Sequence, residues 1–167
     1  MKTILCTLLM FANAGFAELR PNIPLQSTDI PESATRLFKT TGLDRQYDFS
    51  SHLKPSYLRG DFDGDGKPDI AIPVRQKNSR KIGIAVCHSS TNKILLIGAG
   101  TTIGNGGDNF DWMDQWKVYP KGAVRQGGGR ARGPVLKGDA LNVEKSEAAS
   151  ALIYWNGRKY VWHQQGD

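Results

Sequence analysis

The spacing of apolar and polar positions changes along this chain, and each change marks an element. Residues 3–11 are almost wholly apolar. Ala34, Leu37 and Phe38 then fall at helical spacing, with Pro31 ahead of them and Gly42 just beyond, which predicts one short helix. From there the pattern is that of strands. Residues 56–59, 69–75, 81–88 and 93–97 are short runs rich in Ile, Val and Tyr, separated by turn-formers at 60–66, 77–79 and 89–92. A loop with five glycines spans 98–108; 116–119 reads as a strand before Pro120-Lys121-Gly122, and 140–144 as another. The last two runs, 149–155 and 158–164, flank Asn156-Gly157, the strongest short-range signal for a type I′ hairpin. A two-residue turn would pair Trp155 with Arg158, Ile153 with Tyr160 and Ala151 with Trp162. Ile153, Trp155, Tyr160 and Trp162 would then share one face, expected to be core. The fold class expected is mainly β (α+β): an antiparallel sheet of short strands carrying one N-terminal helix.

Composition changes the picture at the N-terminus. Met1-Lys2 precedes the apolar run, and Gly15-Phe16-Ala17 places small residues at the recognition positions of a cleavage site. Residues 1–17 therefore read as a secretory signal peptide, too short in its apolar part to span a bilayer. Residues 18–30 are Pro-rich and polar, an extended arm, and 31–167 is expected to be a single domain. Cys6 leaves with the signal, so Cys87 alone remains and no internal disulfide can form. A soluble periplasmic or secreted protein with no membrane span is the expectation. The formal net charge of +6 favours acidic partners without naming one.

The stretch that carries chemistry is Asp61-Phe62-Asp63-Gly64-Asp65-Gly66-Lys67-Pro68-Asp69. Carboxylates this closely spaced repel one another unless a cation neutralises them. Calcium takes about six to eight oxygens, and a curled loop supplies carboxylates at positions one, three, five and nine and a backbone carbonyl at seven. Those positions are Asp61, Asp63, Asp65, Asp69 and the carbonyl of Lys67, with Gly66 at the sharp turn. An EF-hand would need a Glu at position twelve, where this chain has Ile72 inside an apolar run. Across residues 56–88, the stretch from Gly60 to Ile72 resembles the FG-GAP or VCBS-type calcium loop of integrin-like propeller blades. The resemblance implies a strand, a Ca2+ loop and a second strand, with the same four Asp residues holding the ion. Propellers need several blades and this chain has one copy, so a complete propeller is not expected.

Other signals are weaker. Arg59-Gly60-Asp61 spells an adhesion tripeptide, but its Asp is already the first calcium position. Gly98, Gly100 and Gly104 nearly match a dinucleotide loop, yet no βαβ pattern follows, and a flexible loop is expected there. Asp108, Asp111 and Asp114, three apart beside Phe110 and Trp112, would share one face of a short helical turn. Their ordinary reading is solvated acids beside Trp112 and Trp116 in the core; the alternative is a catalytic carboxylate group. Arg125, Arg130, Arg132 and Lys137 surround a glycine-rich run, 127–133, that suits an acidic partner or a plain solvated loop. His52, His88 and His163 are far apart and join no triad or metal-ligand spacing, and Cys87 reads as packed.

The functional expectation is thus a calcium-binding, non-enzymatic protein-interaction module of the bacterial envelope. It would meet another envelope or secreted protein, and not nucleic acid, through the 98–114 and 127–133 loops. The alternative is an envelope hydrolase acting on glycan or wall material through Asp108, Asp111 and Asp114.

Overall fold

The structure is a computed structural model that describes residues 30–124 and 133–166. The signal peptide expected over 1–17, nearly all of the 18–30 arm, and Arg125, Arg130 and Arg132 of the basic run lie outside the described residues. Within them the elements are α1 (Glu32–Thr40), β1 (Tyr47–Phe49), β2 (Leu58–Gly60), β3 (Asp69–Gln76), β4 (Ile82–His88) and β5 (Lys93–Gly98). There follow β6 (Gln115–Tyr119), β7 (Gly122–Ala123), β8 (Val135–Leu136), β9 (Ala140–Lys145), β10 (Ala149–Trp155) and β11 (Tyr160–Gly166). The mainly β, antiparallel class read from the sequence is the observed one, with neither a closed barrel nor a propeller among the described residues.

The strands form two main sheets. The first runs β1-β3-β4-β5, with β2 lying in line with β1 along the same edge of β3. The second runs β11-β10-β9-β6, and β7 and β8 make a short separate ribbon. Both faces of the first sheet are covered. Ile70, Ile72 and Cys87 meet Ala34 of α1 on one side, while Ile82, Ile84 and Val86 meet Leu141, Val143 and Ile153 of the second sheet on the other. This explains why β3 and β4 read as nearly continuous apolar runs rather than alternating ones. The ribbon covers the outer face of the second sheet, where Val124 and Leu136 pack on Leu152. No helix among the described residues is long and apolar enough to cross a membrane.

Several sequence expectations need correction. The final hairpin turns one residue later than expected: Trp155 pairs with Tyr160, Ile153 with Trp162 and Ala151 with Gln164, and the Asn156 N–H reaches the Lys159 carbonyl around Gly157-Arg158. Asn156 stands before the turn and not within it, because its Oδ1 accepts from both the Arg158 and Lys159 N–H groups. The register moves by two residues, so the four aromatic and aliphatic side chains still share the core face, as expected. The 98–104 loop is packed rather than free: Ala99 is fully buried, and Gly104 and Gly106 lie against Trp162. Residues 108–114 hold a turn and no helix. β1, β7 and β8 leave no pattern in the sequence, because two or three residues are too few to show a period.

Candidate metal centre

Residues 61–68 form the connection between β2 and β3, two antiparallel neighbours, as the strand–loop–strand reading requires. The loop is curled by its own carboxylates. Asp61 Oδ2 accepts from the Gly66 N–H at 3.1 Å, Asp63 Oδ1 from Asp65 at 3.2 Å, and Asp65 Oδ1 from Lys67 at 2.8 Å. Gly66 has φ +87°, the left-handed backbone that side chains disfavour. Phe62 points the other way and is fully buried in the inter-sheet core, so the loop is anchored from beneath.

The expected ligands separate into two overlapping groups. Asp61, Asp63 and Asp65 each offer an oxygen within 4.8 Å of the others'. Asp69 stands instead with Asp63 and His88 in a second group of the same tightness. Asp69 is fully buried and its carboxylate accepts three backbone N–H groups: Phe62 and Asp63 on Oδ2, Ser89 on Oδ1. Its pKa is raised by burial, against the opposing pull of the Ser89 N–H. It organises the loop by tying it to the β4–β5 turn. Lys67 enters the loop geometry through its N–H on Asp65. The pKa of Asp65 is lowered, first by the Ser90 hydroxyl and then by that Lys67 N–H.

The fit to a cation turns on Asp61. Its Oδ1 is buried and has no hydrogen-bond partner among the described residues. An orphaned carboxylate oxygen costs about 1–3 kcal/mol or more, which a hard cation would offset. Lys121 Nζ lies 3.8 Å from the other oxygen, Oδ2, and only weakly replaces such a cation.

The fold adds residues that spacing along the chain did not suggest. Asp139, between β8 and β9, accepts the Asp61 N–H on Oδ2 and the Lys121 N–H on Oδ1, while its own N–H donates to the Asp61 carbonyl at 2.7 Å. Gly138 sits so close that a Cβ there would meet the Asp61 carbonyl oxygen at 2.5 Å. His88 is corrected from an isolated histidine to a member of the site: its Nδ1 lies 3.4 Å from Asp63 Oδ2, and its Nε2 is 2.7 Å from the Tyr160 hydroxyl. Burial pushes the Tyr160 hydroxyl's pKa up, and the Asp69 and Asp63 charges add to it. The only available signal was the aromatic richness of 149–164, which marked Tyr160 as core but not as His88's partner.

The second acidic segment is not drawn into a site. Asp108 is paired with Lys81, Asp111 is exposed, and Asp114 accepts from the Ser146 N–H and hydroxyl and pairs with Lys145 at 3.1 Å. None of the three belongs to a carboxylate group tight enough to share an ion among the described residues. Trp116 is buried, with its Nε1 on the Pro55 carbonyl, and Trp112 packs half-buried on the core.

Compared with family models, with curated proteins and with solved structures, the chain matches none.

Proposed function

We propose that residues 61–69 are a calcium loop of the FG-GAP/VCBS type, and that the chain is an extracytoplasmic, non-enzymatic interaction module of a bacterial envelope. Asp61, Asp63 and Asp65, the Lys67 carbonyl and Asp69 are the proposed ligand set. The observation that carries the ion site is the buried Asp61 Oδ1, unpartnered among the described residues, beside two further carboxylates. The ion's role is structural. It neutralises a loop whose backbone is joined to the second sheet through Asp139, so that it clamps one sheet to the other. The signal-like N-terminus supports export, and the partner is another envelope or secreted protein.

Thermal unfolding of the purified protein with calcium and then with excess chelator tests the ion site. Binding to the native state alone adds RT ln(1 + [L]/Kd), so calcium about 20-fold above Kd gives roughly 1.8 kcal/mol. The midpoint then rises by a few degrees for a domain of this size. A calcium-dependent rise that vanishes in Asp65→Ala supports the site; an identical midpoint with and without calcium refutes it. The interaction reading is tested separately by affinity capture from envelope extract, where recovery of no stoichiometric partner counts against it.

A further inference from the structure

A cleft of about 490 Å³ runs along β11, and a second of about 240 Å³ continues it towards β5. Five consecutive residues of β11, from Tyr160 to Gln164, line the larger one. Successive strand side chains point to opposite faces. A cavity that touches five in a row therefore lies along the strand's edge and not over either face. Thr102 to Asn105, from the packed glycine loop, form the facing wall.

β11 ends its sheet and pairs with β10 alone among the described strands. The turn decides which of its backbone groups face outward. The Asn156 N–H donates to the Lys159 carbonyl, so that pair is a hydrogen-bonded one. Alternation along an antiparallel ladder then makes Tyr154 with Val161, and Leu152 with His163, the next bonded pairs. The N–H and carbonyl of Tyr160 and of Trp162 consequently point away from β10, towards the cleft. Such a row is a template for one more strand. Charge narrows the occupant: Lys159 lines both clefts and Arg158 the smaller, while no Asp or Glu lines either among the described residues. Leu95, Ile97 and Trp155 make the smaller cleft apolar.

We propose that this cleft is the partner-binding site, and that an extended acidic segment of the partner protein adds to the second sheet beside β11. Its backbone pairs with Tyr160 and Trp162, a carboxylate faces Arg158 and Lys159, and an apolar side chain enters the smaller cleft. The proposal rests on the interaction-module reading and gives that reading a place and a chemistry.

The test is selection from a displayed library of random peptides about six residues long, the usual strand length. It is run against the wild type and against the double variant Arg158→Glu, Lys159→Glu. The wild type is expected to enrich peptides with an Asp or Glu at a fixed position. The double variant should lose at least about tenfold in affinity for the best of them and enrich basic ones instead. In complex with that peptide, the Tyr160 and Trp162 amides should gain protection from hydrogen exchange, and methylating alternate peptide nitrogens should abolish binding. No enrichment, enrichment without acidic residues, or binding without protection of those two amides overturns the proposal. So does an acidic oligosaccharide, oligogalacturonate, that binds at Trp162 and blocks the peptide without protecting them. Two controls separate the failures. The double variant should keep the calcium-dependent thermal shift, and a stoichiometric envelope partner that still binds it overturns the cleft while leaving the interaction module standing.

Discussion

Asp61 shows how little of a residue's role its letter carries. Its Oδ2 holds the Gly66 N–H, its Oδ1 has no partner among the described residues, its N–H rests on Asp139 and its carbonyl takes the Asp139 N–H. Lys121 is the local competitor for any metal. Two charges at this distance interact by about 1 kcal/mol in water, so Lys121→Met should tighten calcium binding by roughly fivefold at most, and less at high salt. Calorimetric titration of the two proteins checks this; weaker binding in the variant would place Lys121 among the supports of the loop. Cys87 is a simpler case. Burial pushes its thiol up to about 12, with the Asp69 charge adding to the shift. Cys87 of the folded protein should therefore stay unreacted with a thiol-specific disulfide reagent at pH 8 and react fully once the chain is denatured.

Elements show where pattern suffices and where contact decides. The apolar period around Ala34 and Phe38 marks α1 correctly, because a helix's buried stripe is written into its own spacing. The Asn156-Gly157 signal likewise locates a hairpin and its core face. It misses the register, which depends on two side-chain hydrogen bonds of Asn156 that no dipeptide rule encodes. The β9–β10 turn rests on Asp114, whose pKa lies below its ordinary 3.8, first because the Ser146 N–H bonds the ionised form and then through Lys145 and the Ser146 hydroxyl. A depressed carboxylate contributes stability that is present above the unfolded value and lost as pH falls through the folded one. Exchange of the Ser146 amide should therefore speed up below pH 3.8 beyond the intrinsic trend, and Asp114→Asn should remove that pH dependence. An unchanged profile in the variant would disconnect Asp114 from the turn.

At the scale of the molecule, the candidate ion loop is a seam. Phe62 reaches into the shared core, Asp139 joins the loop to the second sheet, and His88 bridges Asp63 to Tyr160 across the two layers. Tyr160→Phe removes a buried hydroxyl and leaves His88 Nε2 unpaired, a cost of about 1–3 kcal/mol by chemical denaturation. Asp139→Ala should lower stability with and without calcium and also shrink the calcium-dependent gain. A variant that loses stability yet keeps the full gain would make Asp139 a support of the sheets alone.

The sequence by itself determined the strand class, the single helix, the core face of the last hairpin and the run of closely spaced aspartates. Each is a local matter of period or spacing, set by residues within a dozen positions of one another. Only the tertiary structure decided that Asp69 stands with His88 as well as Asp63, and that Asp139 closes the loop from 78 residues away. It also decided that Asp108 and Asp114 go to separate partners, and that one edge of β11 faces a cleft with a cationic end. The physical reason is the same throughout. Periodicity records which face of an element is buried, but the partner of a buried polar group is whatever the packing of distant layers brings within about 3 Å of it.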